Sequence, residues 1–169
     1  MHAQLLAELI ARATNFPQIF LVKKNPSPER IAAWRGLLTV QARVVARIED
    51  GLAAASLPPL GWYDVLFALH EQPDKRLRMA ALAEEVLLSR SGLTRLVDRL
   101  EAQGYLQREP CPTDKRGFLV VLTGSGTELL RKIWPVYRAG IAGYFSDLLS
   151  DADITNLSAV FGKILRPPS

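Results

Sequence analysis

The sequence predicts a mainly α-helical protein with one small β-hairpin, and three observations carry that expectation. Apolar residues recur every three or four positions through most of the 169 residues. The period falls to two only between residues 105 and 122. Prolines and capping residues cut the helical stretches into segments of different length.

Residues 1–14 carry Leu5, Leu6, Leu9 and Ile10 and read as an amphipathic helix or a loose arm. From Ser27, a cap followed by Pro28 at the first helical position, Ile31, Trp34, Leu38, Val45, Ile48 and Leu52 form one stripe. That is a single helix of roughly 23 residues, about 34 Å long. After Pro58-Pro59, Trp62, Val65, Leu66 and Leu69 mark a second, shorter helix over residues 62–69. Residues 79–88 form a third, with Leu82, Ala83 and Val86 inward and Glu84 and Glu85 outward. Ser89 caps a fourth helix to about Gln103, whose stripe is Leu93, Leu96, Val97 and Leu100, and Gly104 closes it. Residues 105–109 and 117–122 read as two strands joined by the loop 110–116, whose tip is basic. Thr123 caps a long helix with Leu130, Ile133, Tyr137, Ile141, Tyr144 and Leu148 inward, and Pro135 should kink it. Ser150 and Asp153 make a capping-box start for a last helix carrying Ile154, Leu157, Phe161 and Ile164.

Composition narrows the functional classes. The single cysteine, Cys111, leaves no internal disulfide and no thiolate cluster, and the two histidines, His2 and His70, fit no catalytic motif. No apolar run approaches the ~20 residues of a membrane span. The first ten residues contain Glu8 and no Lys or Arg, so no secretory leader is expected and the chain is expected in the cytoplasm. No cofactor, no metal site and no enzymatic activity are expected, because neither Cys111 nor Ser91 has a recognisable base and no phosphate-binding glycine loop is present. The net charge of +4 is uneven: Lys and Arg outnumber Asp and Glu nine to six in residues 75–118 and are nearly balanced elsewhere. An acidic partner would meet this middle segment.

Two short helices joined by a tight turn and followed at once by a hairpin outline a winged helix-turn-helix, with the second helix as the reader of a major groove. That helix presents Ser89, Arg90, Ser91, Thr94, Arg95 and Arg99. Short hydroxyls suit phosphates and base edges, and arginine can clamp guanine or phosphate with two donors. Arg108, Lys115 and Arg116 extend the basic surface along the hairpin, whose tip suits the narrow, negative minor groove. An arginine on the outer face of a helix is, taken alone, a solvated charge. The coincidence of turn, serine-rich helix start and basic hairpin within about forty residues makes double-stranded DNA the expected partner.

Leu82-Ala83-Glu84-Glu85, the run from Leu88 to Glu101 (LSRSGLTRLVDRLE), Gly104-Tyr105-Leu106, Asp114-Lys115-Arg116 and Leu122-Thr123 resemble the MarR family of bacterial transcription regulators over about residues 60–130. The resemblance implies that the helix matching residues 89–103 lies in the major groove and that Asp114 and Arg116 shape a wing reaching the minor groove. It also implies a homodimer built by the long N- and C-terminal helices. Three regions follow: residues 1–57 as arm and dimerisation helix, 58–122 as the DNA-binding lobe and 123–169 as further dimerisation helices, together one compact domain. Leu87 stands where the family often has glycine, so a left-handed leucine costing about 1–2 kcal/mol is one expectation for the turn.

The family's small aromatic or anionic effectors direct attention to Trp34, Trp62, Tyr63, His70, Trp134 and Tyr137 as lining of an effector cleft. The same residues serve equally as core or dimer contacts. Cys111, exposed in the wing loop near Arg108, Lys115 and Arg116, is a candidate redox thiol. The expected function is a repressor that binds an inverted-repeat operator as a homodimer and is released by an effector. A winged-helix module that binds protein and not DNA is the alternative.

Overall fold

The computed structural model describes residues 25–86, 90–111 and 114–166, with the backbone alone at residues 90 and 114–116. The expected arm at residues 1–14, the Leu87 turn and the Ser89 cap lie outside the described residues. The chain divides between Thr39 and Val40 into two units.

Helix α1 spans Pro28–Ala54, four residues longer than the roughly 23 expected. Pro28 opens it, and the Ile31 N–H donates to the Ser27 carbonyl at 3.0 Å. Ser27 also hydrogen-bonds the Glu29 carboxylate, which lowers that group's pKa. Within the first unit Ile31, Trp34, Leu37 and Leu38 are all exposed.

In the second unit the rest of α1 buries Ile48 and Leu52. It ends in a left-handed Ser56, where the Leu57 N–H reaches back to the Leu52 carbonyl. Helix α2 (Leu60–His70) follows, then strand β1 (Arg76–Arg78), α3 (Met79–Glu85), α4 (Arg90–Ala102), β2 (Leu106–Cys111), β3 (Asp114–Leu122), α5 (Gly124–Tyr144), a 3-10 turn at Ser146–Leu148, and α6 (Asp151–Ile164). Leu66 and Leu69 of α2, Leu82 of α3, Leu93, Val97 and Leu100 of α4, Leu106 of β2, Val120 of β3 and Ile133 of α5 share one core.

Four expectations are corrected. The hairpin is part of a three-stranded antiparallel sheet in the order β1-β3-β2, because Arg76, Leu77 and Arg78 pair with Val121, Val120 and Leu119. The strands run further than the expected 105–109 and 117–122, so most of the expected loop 110–116 is strand, with Cys111 opposite Asp114 and a bulge at Pro110/Cys111. The third helix stops at Glu85 and not at residue 88, since Val86 is already extended at φ −104° and ψ 141°. The stripe on α5 fails at its end: the helix stops at Tyr144, and both Tyr144 and Leu148 are exposed. Ile164 on α6 is exposed as well.

The local signals at the helix ends hold. Gly104 has φ +75°, its N–H donates to the Glu101 carbonyl and the Tyr105 N–H to the Leu100 carbonyl, a paired cap that needs a left-handed residue. Thr123 Oγ1 accepts the Gly126 N–H at 3.1 Å. Ser150 and Asp153 form the reciprocal capping box of α6.

Candidate nucleic-acid interface

Helix α4 has the hydrophobic pattern of a helix half sunk into a core. Leu93, Leu96, Val97 and Leu100 are buried, while Ser91, Thr94, Arg95, Asp98 and Arg99 face outward. Arg99 is steadied by its Nε donating to the Arg95 carbonyl, one turn back, at 3.3 Å. Arg95 and Arg99 therefore bring two positive charges to the outer face, interleaved with the short hydroxyls of Ser91 and Thr94. Such a surface offers hydrogen-bond donors and acceptors at helical spacing to the edges of bases and to phosphates.

The C-terminal end of α4 is tied to its neighbours. The Gly104 carbonyl accepts from Thr123 Oγ1 at 2.7 Å, and the Thr123 N–H donates to the Tyr105 carbonyl at 3.2 Å, so the first turn of α5 is joined to the α4–β2 turn. Gly126 packs so closely that a Cβ there would meet the Tyr105 oxygen at 2.1 Å.

Arg108 does not join the basic outer surface. Its guanidinium turns onto α4, pairs with Glu101 and with Asp98 at 2.5 Å, and lies 5.2 Å over the Phe118 ring of β3. One positive charge between two carboxylates leaves this cluster net negative. Lys115 and Arg116 lie at the start of β3, where the backbone alone is described, as does Asp114. On the other side of the sheet, Arg76 of β1 reaches across β3 to Glu109 of β2 at 3.2 Å.

Cys111 is buried and not exposed as expected, because β2 continues through it and its side chain turns inward at the bulge. A buried thiol away from solvent is a poor target for an oxidant.

Of the six aromatic candidates the structure brings Tyr63, Trp134 and Tyr137 together. Tyr63 of α2 meets Trp134 and Tyr137 of α5 at 6.2 and 5.0 Å, and its stack on Phe67 continues to His70 at 6.4 Å from that ring. Trp62 lies apart, edge-on to Tyr105 at 6.0 Å, because adjacent residues of a helix point about 100° from each other. Trp34 belongs to the first unit. Burial, reinforced by the nearby Tyr137, Asp64 and Glu71, raises the Tyr63 pKa, and burial followed by Asp64 raises that of Tyr137. Two residues of this region were not anticipated. Phe67 sits one turn from Tyr63, a spacing that the sequence displays. Asp64 is half-buried, and burial first, then the Glu49 charge, raises its pKa. A separate cavity of about 380 Å³ opens between α1 and α5, lined by Arg47, Ile48, Gly51, Pro135 and Tyr144 among others and by none of the six candidates.

Among the described residues no helix is long and apolar enough to cross a membrane, and no group of three or more His, Cys, Asp or Glu side chains is placed to hold a metal ion.

Residues 55–117 match the model of the MarR family. YkoM of Bacillus subtilis, an HTH-type transcriptional regulator, is 36% identical over 89 residues, which are 53% of this chain and 56% of YkoM. The chain thus spans little more than half the length of that curated relative. Among solved structures, AbsC of Streptomyces coelicolor, a MarR family transcriptional regulator, superposes with a TM-score of 0.74 at 32% identity, covering 83% of this chain and 95% of AbsC. Sco3205 of the same organism, a MarR family transcriptional regulator solved in complex with DNA, gives 0.76 at 30% identity over 85% of this chain and 95% of its own. These proteins are transcriptional regulators and not enzymes. A winged helix with this sequence and this architecture places the chain in the MarR family of transcriptional regulators.

Proposed function

We propose that the chain is a DNA-binding repressor that acts as a homodimer, sets two copies of α4 in successive major grooves of an inverted-repeat operator, and is released by a small aromatic or anionic molecule. The observation that carries this reading is the outer face of α4, where Ser91, Thr94, Arg95 and Arg99 stand clear of the core on a helix whose opposite side is fully packed. Lys115 and Arg116 on β3 supply the wing's minor-groove contact, with Asp114 shaping that strand's start. The exposed Ile31, Trp34, Leu37 and Leu38 of the first unit, and the exposed Val160, Ile164 and Leu165 at the C-terminal end of the second, supply apolar area for a second copy. The Tyr63, Trp134 and Tyr137 cluster, with Phe67 and His70, is the effector site, since rings on two helices can separate to admit a flat ligand.

The test is a fluorescence-anisotropy titration of the protein against the duplex upstream of its own gene and against a scrambled duplex of equal length, at several salt concentrations. Specific regulation requires the upstream duplex to bind ~10³-fold tighter, with affinity falling steeply with salt. Undetectable binding to either duplex at low salt overturns the proposal.

A further inference from the structure

The sequence places Arg108 among the basic groups of the wing, but its surroundings give it a different task. Glu101 holds the strand twice: its Oε1 accepts the Arg108 backbone N–H at 3.0 Å and its Oε2 takes the guanidinium. Asp98, one turn earlier on α4, takes the other terminal nitrogen, and Phe118 of β3 carries the flat face of the group. Only 22% of the side chain is exposed, and its Nε is buried without a hydrogen-bond partner. Three elements therefore meet at one planar group. A phosphate approaching this point meets two carboxylates against one guanidinium and is repelled. A forked guanidinium can bridge two carboxylates on successive turns, which a lysine ammonium, a single point of charge, does poorly.

The place of this bridge in the hairpin matters. Strand β2 runs six residues from Leu106, so its far end lies about 17–20 Å from the strand's base. A tilt of about 5° at the base moves that end by roughly 1.5 Å, several times the tolerance of a hydrogen bond. Beyond the Arg78–Leu119 pair, where β1 ends, only β2 and β3 remain, and two strands alone have little stability of their own. The bridge also cancels part of the negative charge that Asp98 and Glu101 would otherwise bring to the reading helix, leaving Arg95 and Arg99 to define its outer potential.

We propose that Arg108 is a positioning residue: by bridging Asp98 and Glu101 of α4 to β2 over Phe118, it locks the pitch of the β2–β3 hairpin to the reading helix, so that both meet a duplex in one fixed register. The consequence for DNA rests on the function proposed above, whereas the lock itself is a property of the protein alone.

The experiment has two arms. In the first, amide hydrogen exchange is followed in wild type, Arg108→Met, Arg108→Lys and the double variant Asp98→Asn/Glu101→Gln, with α2 amides as internal reference for global opening. The lock predicts that hairpin amides of residues 107–109, 111 and 118–121 exchange about tenfold faster, relative to α2, in all three variants. In the second arm, a duplex selected by the wild-type protein from a randomised pool is titrated beside a scrambled duplex. The ratio of the two affinities should fall about tenfold in each variant, with the salt slope unchanged in Arg108→Met and Arg108→Lys, and Arg108→Met combined with Asp98→Asn/Glu101→Gln should be no worse than Arg108→Met. Unchanged exchange overturns the lock. A salt slope reduced by about 0.9 in Arg108→Met would show instead that Arg108 contacts a phosphate directly. If the wild type selects no duplex, the DNA-binding function fails and the exchange arm alone decides the role of Arg108.

Discussion

Two glycines of α5 should respond to the same substitution in opposite directions. At Gly126, in the first turn, a Cβ would stand 2.1 Å from the Tyr105 carbonyl oxygen, 3.1 Å from its carbon and 2.7 Å from Leu122 Cδ1. The leucine tip can swing away, but the carbonyl cannot. It accepts the Thr123 N–H, and the same residue's N–H closes the α4 cap on the Leu100 carbonyl. Relief needs about 1 Å of separation between α5 and the α4–β2 turn, which costs about 1–3 kcal/mol as overpacking. Stretching the Thr123 bonds to Gly104 and Tyr105 adds about 1 kcal/mol for each one lost. Alanine returns up to about 1 kcal/mol in helix propensity. The net is a loss of about 2–3 kcal/mol, or roughly 5–10 °C in Tm for a chain of this length. At Gly143, near the other end of the helix, nothing lies within 4 Å of the added carbon, and alanine there should gain about 0.5–1 kcal/mol. Thermal unfolding of the two variants by circular dichroism decides the matter. A Gly126→Ala protein as stable as wild type, or a Gly143→Ala protein that falls as far as Gly126→Ala, would refute the close approach and with it the anchoring of α5 on α4.

Other outcomes follow from single groups. Thr123→Ala removes the acceptor for the Gly126 N–H and the donor to the Gly104 carbonyl, and should cost about 1–2 kcal/mol in urea unfolding, with Thr123→Ser recovering most of it. Asp64 has a folded-state pKa raised by burial and by Glu49, so the folded chain binds this proton more readily than the unfolded one and loses stability as pH rises from the ordinary aspartate value of about 4 through the raised one. Denaturant midpoints across that window should therefore shift increasingly in favour of Asp64→Asn, and a gap that shrinks with rising pH would contradict the burial of this carboxylate. In DNA titrations Arg116→Ala should weaken operator and scrambled duplexes alike and reduce the salt slope by about one, whereas Arg95→Ala should also change which base is preferred at one position. Equal losses on both duplexes for both variants would remove that division of labour.

The parts of the fold legible in the sequence are those fixed by neighbours along the chain. Gly104, Thr123 and the Ser150–Asp153 box act within four residues of themselves, and each caps its helix as read. Strand β1 escaped notice because three residues show no period and its partner, Val121 opposite Arg76, lies 45 positions away. Pro110 and Pro112 made residues 110–116 look like a loop. Yet β2 is an edge strand, where a missing N–H is tolerated, and the ladder runs through Pro110. Of the candidate site, the outer face of α4 was readable from helical spacing. The true surroundings of Arg108 were not, because its carboxylates sit seven and ten residues back on another element and a linear charge count registers only an arginine in a basic stretch. Trp62 and Tyr63 are neighbours on α2 yet meet different partners, Tyr105 and Tyr137, because successive residues of a helix point in different directions.

The reading helix is held hardest at its C-terminal end. Ser91, Thr94 and Arg95 lie in its first two turns and Arg99 in its last, which is fixed from two sides. Arg108 grips Asp98 and Glu101 from the sheet, and Thr123 and Gly126 join the turn after Ala102 to the start of α5. These two grips differ in kind. The α5 junction is a backbone-to-backbone approach with no flexible side chain between, so a displacement of the first turn of α5 must carry the end of α4 with it. The Arg108 grip is made of side chains and an ion pair, so it can transmit a change of angle to the hairpin or yield to it. Ile133 in the core and Trp134 and Tyr137 in the ring cluster lie two to three turns further along α5. If the ring cluster is the effector site proposed above, a ligand that separates Tyr63 from Trp134 and Tyr137 acts on a helix whose first turn is joined to the end of α4. Under that proposal the path from ring cluster to reading surface would need no change in secondary structure. A tilt of α5 would suffice, with the close approach at Gly126 carrying it to the helix proposed to meet the duplex.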